Sequence, residues 1–428
     1  MVEGGVTSIY PIGAVYPMLV GGNAVVVAAA DTPSKLKSRA DFICDGTSAT
    51  GGDEAEINAA LSMADTVILC PGTYWLSGSI RLGNNQTLQG SGLATVLKLK
   101  DNYNADISLI VAISKSRVTI ANLTVDGNKA NQTDGEQYGI YFENTTNSKI
   151  ESCHIMNMMG GGIFLVSSSN NVIAGNICQN NDYDGIFLFD SSNNNTVTGN
   201  TCQNNGGSGI HLTDSSNNRV TGNTCQNNFD GISLIDSSNN AVAGNTCQNN
   251  GGNGISLAYF GNNTVTGNIC QNNGFNGIYL FDSSNNTVAG NTCQDNDSCG
   301  ILLVNSSNNT VTGNTCQNNS YDGIYLGGSS NNTVAGNTCH GNGASSTSAY
   351  SNIYLCFNSD YNLISGNICR HDNVSRYGIN IASSDCDYNM IEGNNLYASG
   401  LTGDINDAGT NTRKRDNLGN TGEWLTDV

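Results

Sequence analysis

Asn194-Asn195-Thr196-Val197-Thr198-Gly199-Asn200-Thr201-Cys202-Gln203-Asn204-Asn205 returns unchanged as Asn308 to Asn319. The cysteines of successive copies are Cys178, Cys202, Cys225, Cys247, Cys270, Cys293, Cys316 and Cys339, at intervals of 24, 23, 22, 23, 23, 23 and 23 residues. A period this short and strict means a solenoid, in which each unit buries its apolar face only against its neighbours. Uniform units also leave little room for an irregular active site.

Each unit reads as three short strands separated by turns: Val197 to Asn200, the Thr-Cys-Gln segment, and Gly209-Ile210-His211-Leu212. Runs such as Asp214 to Asn218 carry turn chemistry and close the coil. Val197, Cys202, Ile210 and Leu212 fall where inward side chains stand, with period two inside each strand. The expected fold is all-β, a parallel β-helix with coils ~4.8 Å apart. Asn176, Asn200, Asn223, Asn245, Asn268, Asn291, Asn314 and Asn337 occupy one equivalent corner. Asparagine tolerates a left-handed bend there, and its amide donates to the same amide one coil away.

Degenerate copies extend the pattern. Val125 and Ile155 take the cysteine slot in Ile120 to Val125 and Ile150 to Ile155, and Leu396 takes it in a late copy. Longer intervals place inserted loops near Gly341–Tyr350 and Asp372–Arg376. About a dozen coils follow, a rod of roughly 60 Å. The expected organisation is an attachment segment (1–40), a cap and first coil (41–100), the solenoid (101–400) and a closing tail (401–428).

The formal charge is −19, with only 12% charged residues. Between Ser152 and Cys369 there are eleven aspartates, one arginine (Arg219) and no lysine or glutamate. Nucleic acid is thereby excluded as a partner, because phosphate binding needs clustered Lys and Arg. No run of ~18–20 apolar residues is present to insert into a membrane. Nine cysteines, the eight above and Cys369, fill a slot held elsewhere by Val, Ile or Leu, and so read as buried free thiols. A linear column does not converge four ligands on a point, so no metal site or cofactor is expected. Cys44, Cys70, Cys153, Cys299, Cys356 and Cys386 lie outside it and are open to pairing. The apolar N-terminal runs, Ile9 to Val20 and Ala24 to Ala30, lack the basic start of a leader and carry Glu3 instead. They read as a segment joining virion or cell-surface proteins.

Asp53 to Leu61 reads as a short helix with acids in its first turn, the cap that an open solenoid end needs. This block resembles the start of the pectate-lyase-like superfamily of right-handed β-helices. The resemblance rests on Ala40-Asp41-Phe42-Ile43-Cys44-Asp45-Gly46-Thr47, Glu56 to Leu61, Pro71-Gly72-Thr73-Tyr74 and Leu88-Gln89-Gly90-Ser91-Gly92. The repeats resemble those of NosD-like periplasmic proteins, polysaccharide lyases, alginate epimerases and phage tailspikes. The resemblance implies a right-handed β-helix; for activity it spans enzymes and purely structural rods.

Enzymes of this kind need recognisable groups. Lyases and epimerases need calcium-binding acids or Lys/Arg beside a base, and the repeats offer neither. The Asp-Pro-His-Glu signature of alginate epimerases is absent, as are the polygalacturonase elements. A hydrolase needs only two carboxylates, and the candidates are Asp184, Asp190, Asp214 and Asp230. Asp190 and Asp214 precede Ser-Ser in the same turn and read equally as turn residues. His211 faces outward with no acid beside it in the local sequence. One outward column, Tyr141, Phe164, Phe187, His211, Ser233, Ser256, Tyr279, Leu302, Tyr325 and Tyr354, is rich in rings. Such a face stacks on sugar rings or buries against a second rod. The expectation is a structural virion appendage (spike, fibre or capsid-decorating protein), a homo-oligomer with a trimer favoured, contacting surface polysaccharide. The alternatives are a polysaccharide depolymerase and a cell-surface or periplasmic glycan-binding rod.

Overall fold

In the computed structural model, residues 24–345, 349–371, 374–419 and 421–428 are described. A representative coil folds its three short runs into the strands Thr196–Thr198, Thr201–Gln203 and Ile210–Thr213. Each pairs in parallel with its counterpart one coil on: Val197 with Val220, Cys202 with Cys225, Ile210 with Ile232. A one-residue slip would turn every inward side chain outward, so the buried face enforces this register. Val197, Cys202, Ile210 and Leu212 are all fully buried. The stacks form sheets of 17, 13 and 14 strands. The rod is therefore longer than the dozen coils expected, because irregular coils at both ends add rungs that lack the repeat's signature.

The corners follow one rule. Gly199, Asn204, Asp214 and Asn217 have φ of 63°, 56°, 49° and 60°, and each is followed by a buried polar residue: Asn200, Asn205, Ser215 and Asn218. The left-handed bend thus falls on the residue before the ladder asparagine, at Gly199 in the ladder identified from sequence, and not on the asparagine. Three asparagine ladders and a serine ladder result where the sequence reading found one. The Asn200 N–H and Nδ2 both donate to Asn223 Oδ1, at 2.9 and 3.0 Å, and Nδ2 also donates to the Ile173 carbonyl. On the second sheet the outward glutamines form a further chain, Gln226 Nε2 donating to Gln203 Oε1 at 2.9 Å.

A sixth row opens the third strand of several coils. There Asp184, Asp230, Asn253 and Asn276 accept the backbone N–H of the next coil. Asp322 does the same for Ser351 at 2.7 Å, but it is almost wholly buried, and burial lifts its carboxyl to about 7.

All fifteen cysteines are free and buried, including the six outside the column. Burial pushes the Cys153 thiol up to about 12 and holds Cys369 well above the ordinary value.

Ala24–Ala28 is a strand of the first sheet, pairing with Phe42–Ile43 and Thr66–Leu69. Residues 24–28 therefore belong to the solenoid's first turn, and Val25, Val27 and Ala29 face the core. Residues 1–23 lie outside the described residues. The helix Glu54–Met63 buries Ile57, Ala60 and Leu61 over the open end. At the other end Gly403–Asp407 and Arg413–Arg415 continue the third and first sheets. In that last rung the inward slot of Ile391 is held by Lys414, whose Nζ lies 2.9 Å from Asp407.

Thiol titration of the native protein should find few reactive groups and many after unfolding; cross-linked pairs within the column, seen by mass spectrometry, would contradict the packing. Replacing Asn245 by Leu removes the acceptor of the Asn223 N–H and the donor to the Val220 carbonyl. The expected cost is ~1–3 kcal/mol per stranded group, read as a lower melting temperature. In the fold Asp322 keeps a proton that the unfolded chain releases near 3.8. Its raised value makes stability fall as pH rises from ~4 to ~7, with no further change above. Asp322→Asn retains the acceptor for Ser351, so it should stabilise the protein at about pH 8 and have little effect at about pH 4. Equal effects at both pH values would refute the assignment.

Candidate functional site

The outward column of the third sheet is where rings and titratable groups meet. Strands one rung apart place Phe164 on Phe187 with centroids 4.9 Å apart and planes 2° from parallel. Phe187 stacks in turn on His211 at 4.7 Å, and Tyr138 and Tyr141 close the other end against Phe164 at 5.2 and 5.6 Å. Further along, Tyr325 stacks on Tyr354 at 5.1 Å. Tyr141, Phe164, Phe187, His211, Tyr279, Tyr325 and Tyr354 are each half-buried, not fully exposed. The reason is geometric: rings at rung spacing cover one another. Between His211 and Tyr279 the column drops to Ser233 and Ser256.

Asp184 comes to His211 from the preceding coil. Its Oδ2 lies 3.2 Å from His211 Nδ1, while its Oδ1 accepts the Ser208 N–H at 2.6 Å. Thr213 Oγ1 lies 3.0 Å from His211 Nε2, so both ring nitrogens are held. The absence of a local acid beside His211 was thus a property of the linear sequence only; the partner sits 27 residues upstream, a spacing of one coil plus three. Asp230, on the coil after His211, is 8% exposed. Burial raises its carboxyl value; the hydrogen bonds from Asn253 and the nearby His211 oppose this, and Asp184 adds to it. Asp184, His211 and Asp230 therefore form one electrostatic group across three consecutive coils.

Asp190 and Asp214 are not part of it. Both are exposed corner residues with φ of 46° and 49°, the place their Ser-Ser context indicated. The arrangement at Asp184, His211 and Asp230 offers a carboxylate-held imidazole, a buried acid that resists ionisation, and ring edges alongside.

A second cluster lies on the irregular N-terminal coils, in an open cleft of about 480 Å³ on the second sheet. Lys98 pairs with Asp126 at 3.1 Å and places its ammonium 5.4 Å from the Trp75 ring centre. His154 contributes a buried Nε2 without a hydrogen-bond partner, and burial lowers its pKa, favouring the neutral ring. The lysine's charge is already matched there. At the cap, Cys44, Asp53 and Glu56 offer ligand atoms within 4.8 Å of one another. They suit a cation poorly, because Asp53 already accepts the Gly46 and Trp75 N–H groups and burial holds the Cys44 thiol protonated.

Among the described residues, no helix is long and apolar enough to cross a membrane. No curated protein matches the sequence. Solved structures share the fold. The tailspike protein 3 of bacteriophage CBA120 superposes with a TM-score of 0.60 at 13% identity, over 89% of this chain and 60% of its own. The A-module of mannuronan C-5 epimerase AlgE4 from Azotobacter vinelandii gives 0.53 at 19%, over 87% and 95%. The AlgE6 A-module from the same organism gives 0.50 at 21%, over 87% and 96%. At these identities the likeness is one of fold. The family described as "Right handed beta helix region" matches residues 102–224, 138–293, 209–359 and 275–418. The chain belongs to that family of right-handed β-helices.

Proposed function

We propose that this chain is a rod-shaped surface appendage, of the virion spike or fibre kind, whose third-sheet face holds a glycan. The observation that carries the reading is the stacked run Tyr138–Phe164–Phe187–His211 ending at Asp184 and Asp230. Rings with polar groups beside them are what sugar rings stack on and bond to. The eleven aspartates against one arginine in the repeats favour a neutral glycan over a polyanion. A bacteriophage tailspike is among the proteins sharing this fold, so the role lies within what the architecture serves. The rods are proposed to associate as homotrimers at a virion surface. Attachment is assigned to the apolar segment Ile9 to Val20, on its sequence alone.

A second reading rests on a separate observation. Burial raises the Asp230 carboxyl, while Asp184 sits two rungs away beside an imidazole. Two rungs are ~9.6 Å, near the upper end of the ~6.5–9.5 Å that separates the acid and base of inverting glycosidases. In that reading Asp230 is the general acid and Asp184 the base.

Affinity electrophoresis of the purified protein against neutral and acidic surface polysaccharides tests the main reading. Phe187→Ala and His211→Ala should each weaken binding about tenfold, the effect of one lost ring contact. Unchanged binding in both variants would sink it, as would light scattering on a trimer in which this face is buried. Release of reducing ends that Asp230→Asn abolishes would favour the hydrolase; unsaturated products from pectate or alginate would overturn both readings.

A further inference from the structure

The repeat has a second, longer period. Tyr183-Asp184-Gly185-Ile186, Phe229-Asp230-Gly231-Ile232, Phe275-Asn276-Gly277-Ile278 and Tyr321-Asp322-Gly323-Ile324 follow one another at intervals of 46 residues. The intervening coils read Gly207-Ser208, Gly252-Asn253 and Ser298-Cys299 at the same positions. Coil lengths vary between, yet the two-coil interval is constant.

In the fold these residues form one line along the rod. The Gly207 N–H donates to the Tyr183 carbonyl, Phe229 to Gly207, Gly252 to Phe229, Phe275 to Gly252, Ser298 to Phe275 and Tyr321 to Ser298, at 2.6–3.1 Å. Every second position carries a large ring, 48%, 58%, 54% and 39% exposed from Tyr183 to Tyr321. The positions between carry Gly, Gly and Ser.

Two physical consequences follow. Rings on alternate rungs stand ~9.6 Å apart, beyond the ~4.5–7 Å at which aromatic pairs associate. Phe229 and Phe275 therefore keep open faces, unlike the inner column, whose rings cover one another. The gaps are also enforced. A Cβ added at Gly207 would lie 2.5 Å from Asp184 Oδ1, and one at Gly252 2.3 Å from Asp230 Oδ1. At the first two toothed coils Asp184 and Asp230 fold under the next coil to bond its N–H and so exclude a side chain there; the alternation ends at Tyr321, which stacks on Tyr350 of the next coil at 4.5 Å. From Tyr183 to Gly252, ring, acid and gap are one two-coil unit.

We infer that this comb binds a neutral, extended polysaccharide lying along the rod axis, one ring to each disaccharide. This rests on the glycan-binding reading above. In a chain of equatorially linked pyranoses alternate sugars are flipped, so the same sugar face recurs once per disaccharide, on the scale of two rungs. A protein partner would call for a contiguous apolar patch, and Tyr183, Phe229 and Phe275, separated by backbone, do not form one. Asp182, Asp184, Asp230, Asp297 and Asp322 border the strip, and the cation recorded beside it, Lys129, is paired with Asp182 at 2.9 Å. A polyanion is therefore disfavoured.

The test is calorimetric titration of the full chain with cello-oligosaccharides of increasing length, with malto-oligosaccharides and alginate oligosaccharides as controls. Affinity for the cello series should rise in steps of two sugars. Phe229→Ala and Phe275→Ala should each lower it about tenfold, with circular dichroism unchanged because both rings are exposed. A smooth rise with length, or equal binding of the controls, overturns the inference. If glycan binds and only Phe187→Ala weakens it, the comb assignment falls and the glycan reading stands. If no oligosaccharide or polysaccharide binds, both fall.

Discussion

The bond on which this structure depends runs from a backbone N–H to the side-chain oxygen of the residue one coil on, at 2.9 Å for Asn200 and Asn223. Parallel strands satisfy their own backbone groups, but the corners between them do not, and buried corners without partners are costly. Placing a left-handed residue before each buried amide or hydroxyl answers this at every bend. The same device holds each coil at a single rotation against the next. Without that exact repetition of rotation, Phe164 would not lie on Phe187, nor would Asp184 meet His211.

Much of this was legible because the repeat is nearly perfect. The cysteine interval fixes the coil length, and alternation in Thr196-Val197-Thr198 fixes which side chains face inward. The ladder rule was only partly legible. Asn204-Asn205 and Asn217-Asn218 look like generic turn asparagines, and only the fold separates the left-handed member from the stacked one. The end coils were harder to read. Ala24–Ala28 is apolar in a way that suits either a strand or an anchoring segment, and its partners, Phe42–Ile43 and Thr66–Leu69, lie too far along the chain to be inferred from local pattern.

The candidate site was least legible, for a related reason. Neighbours in a solenoid are one coil apart in sequence, so a cluster such as Asp184, His211 and Asp230 spans 46 residues while occupying three rungs. Turn chemistry further disguises it. Asp184 and Asp214 look alike in the sequence, yet one caps a backbone N–H and meets an imidazole, whereas the other is an exposed bend. Ring exposure is likewise set by the fold, because the rung spacing suits aromatic stacking and the column covers itself.

Lys414 bears on a different property, the length of the assembly. Parallel strands that end in a free edge are templates for further strands, and a stack of near-identical coils is close in construction to an elongating amyloid. Here the terminal rung sets an ammonium, paired with Asp407, in the slot that Val or Ile fills below it. The Lys414 backbone is already bonded to Val428 of the chain's own tail, its N–H donating at 2.8 Å and its carbonyl accepting at 2.9 Å, so a further strand would have to displace that tail and bury the ion pair, at a desolvation cost of several kcal/mol per ion. The last described rung is thus poorly suited to template a further coil, and the helix Glu54–Met63 covers the other end.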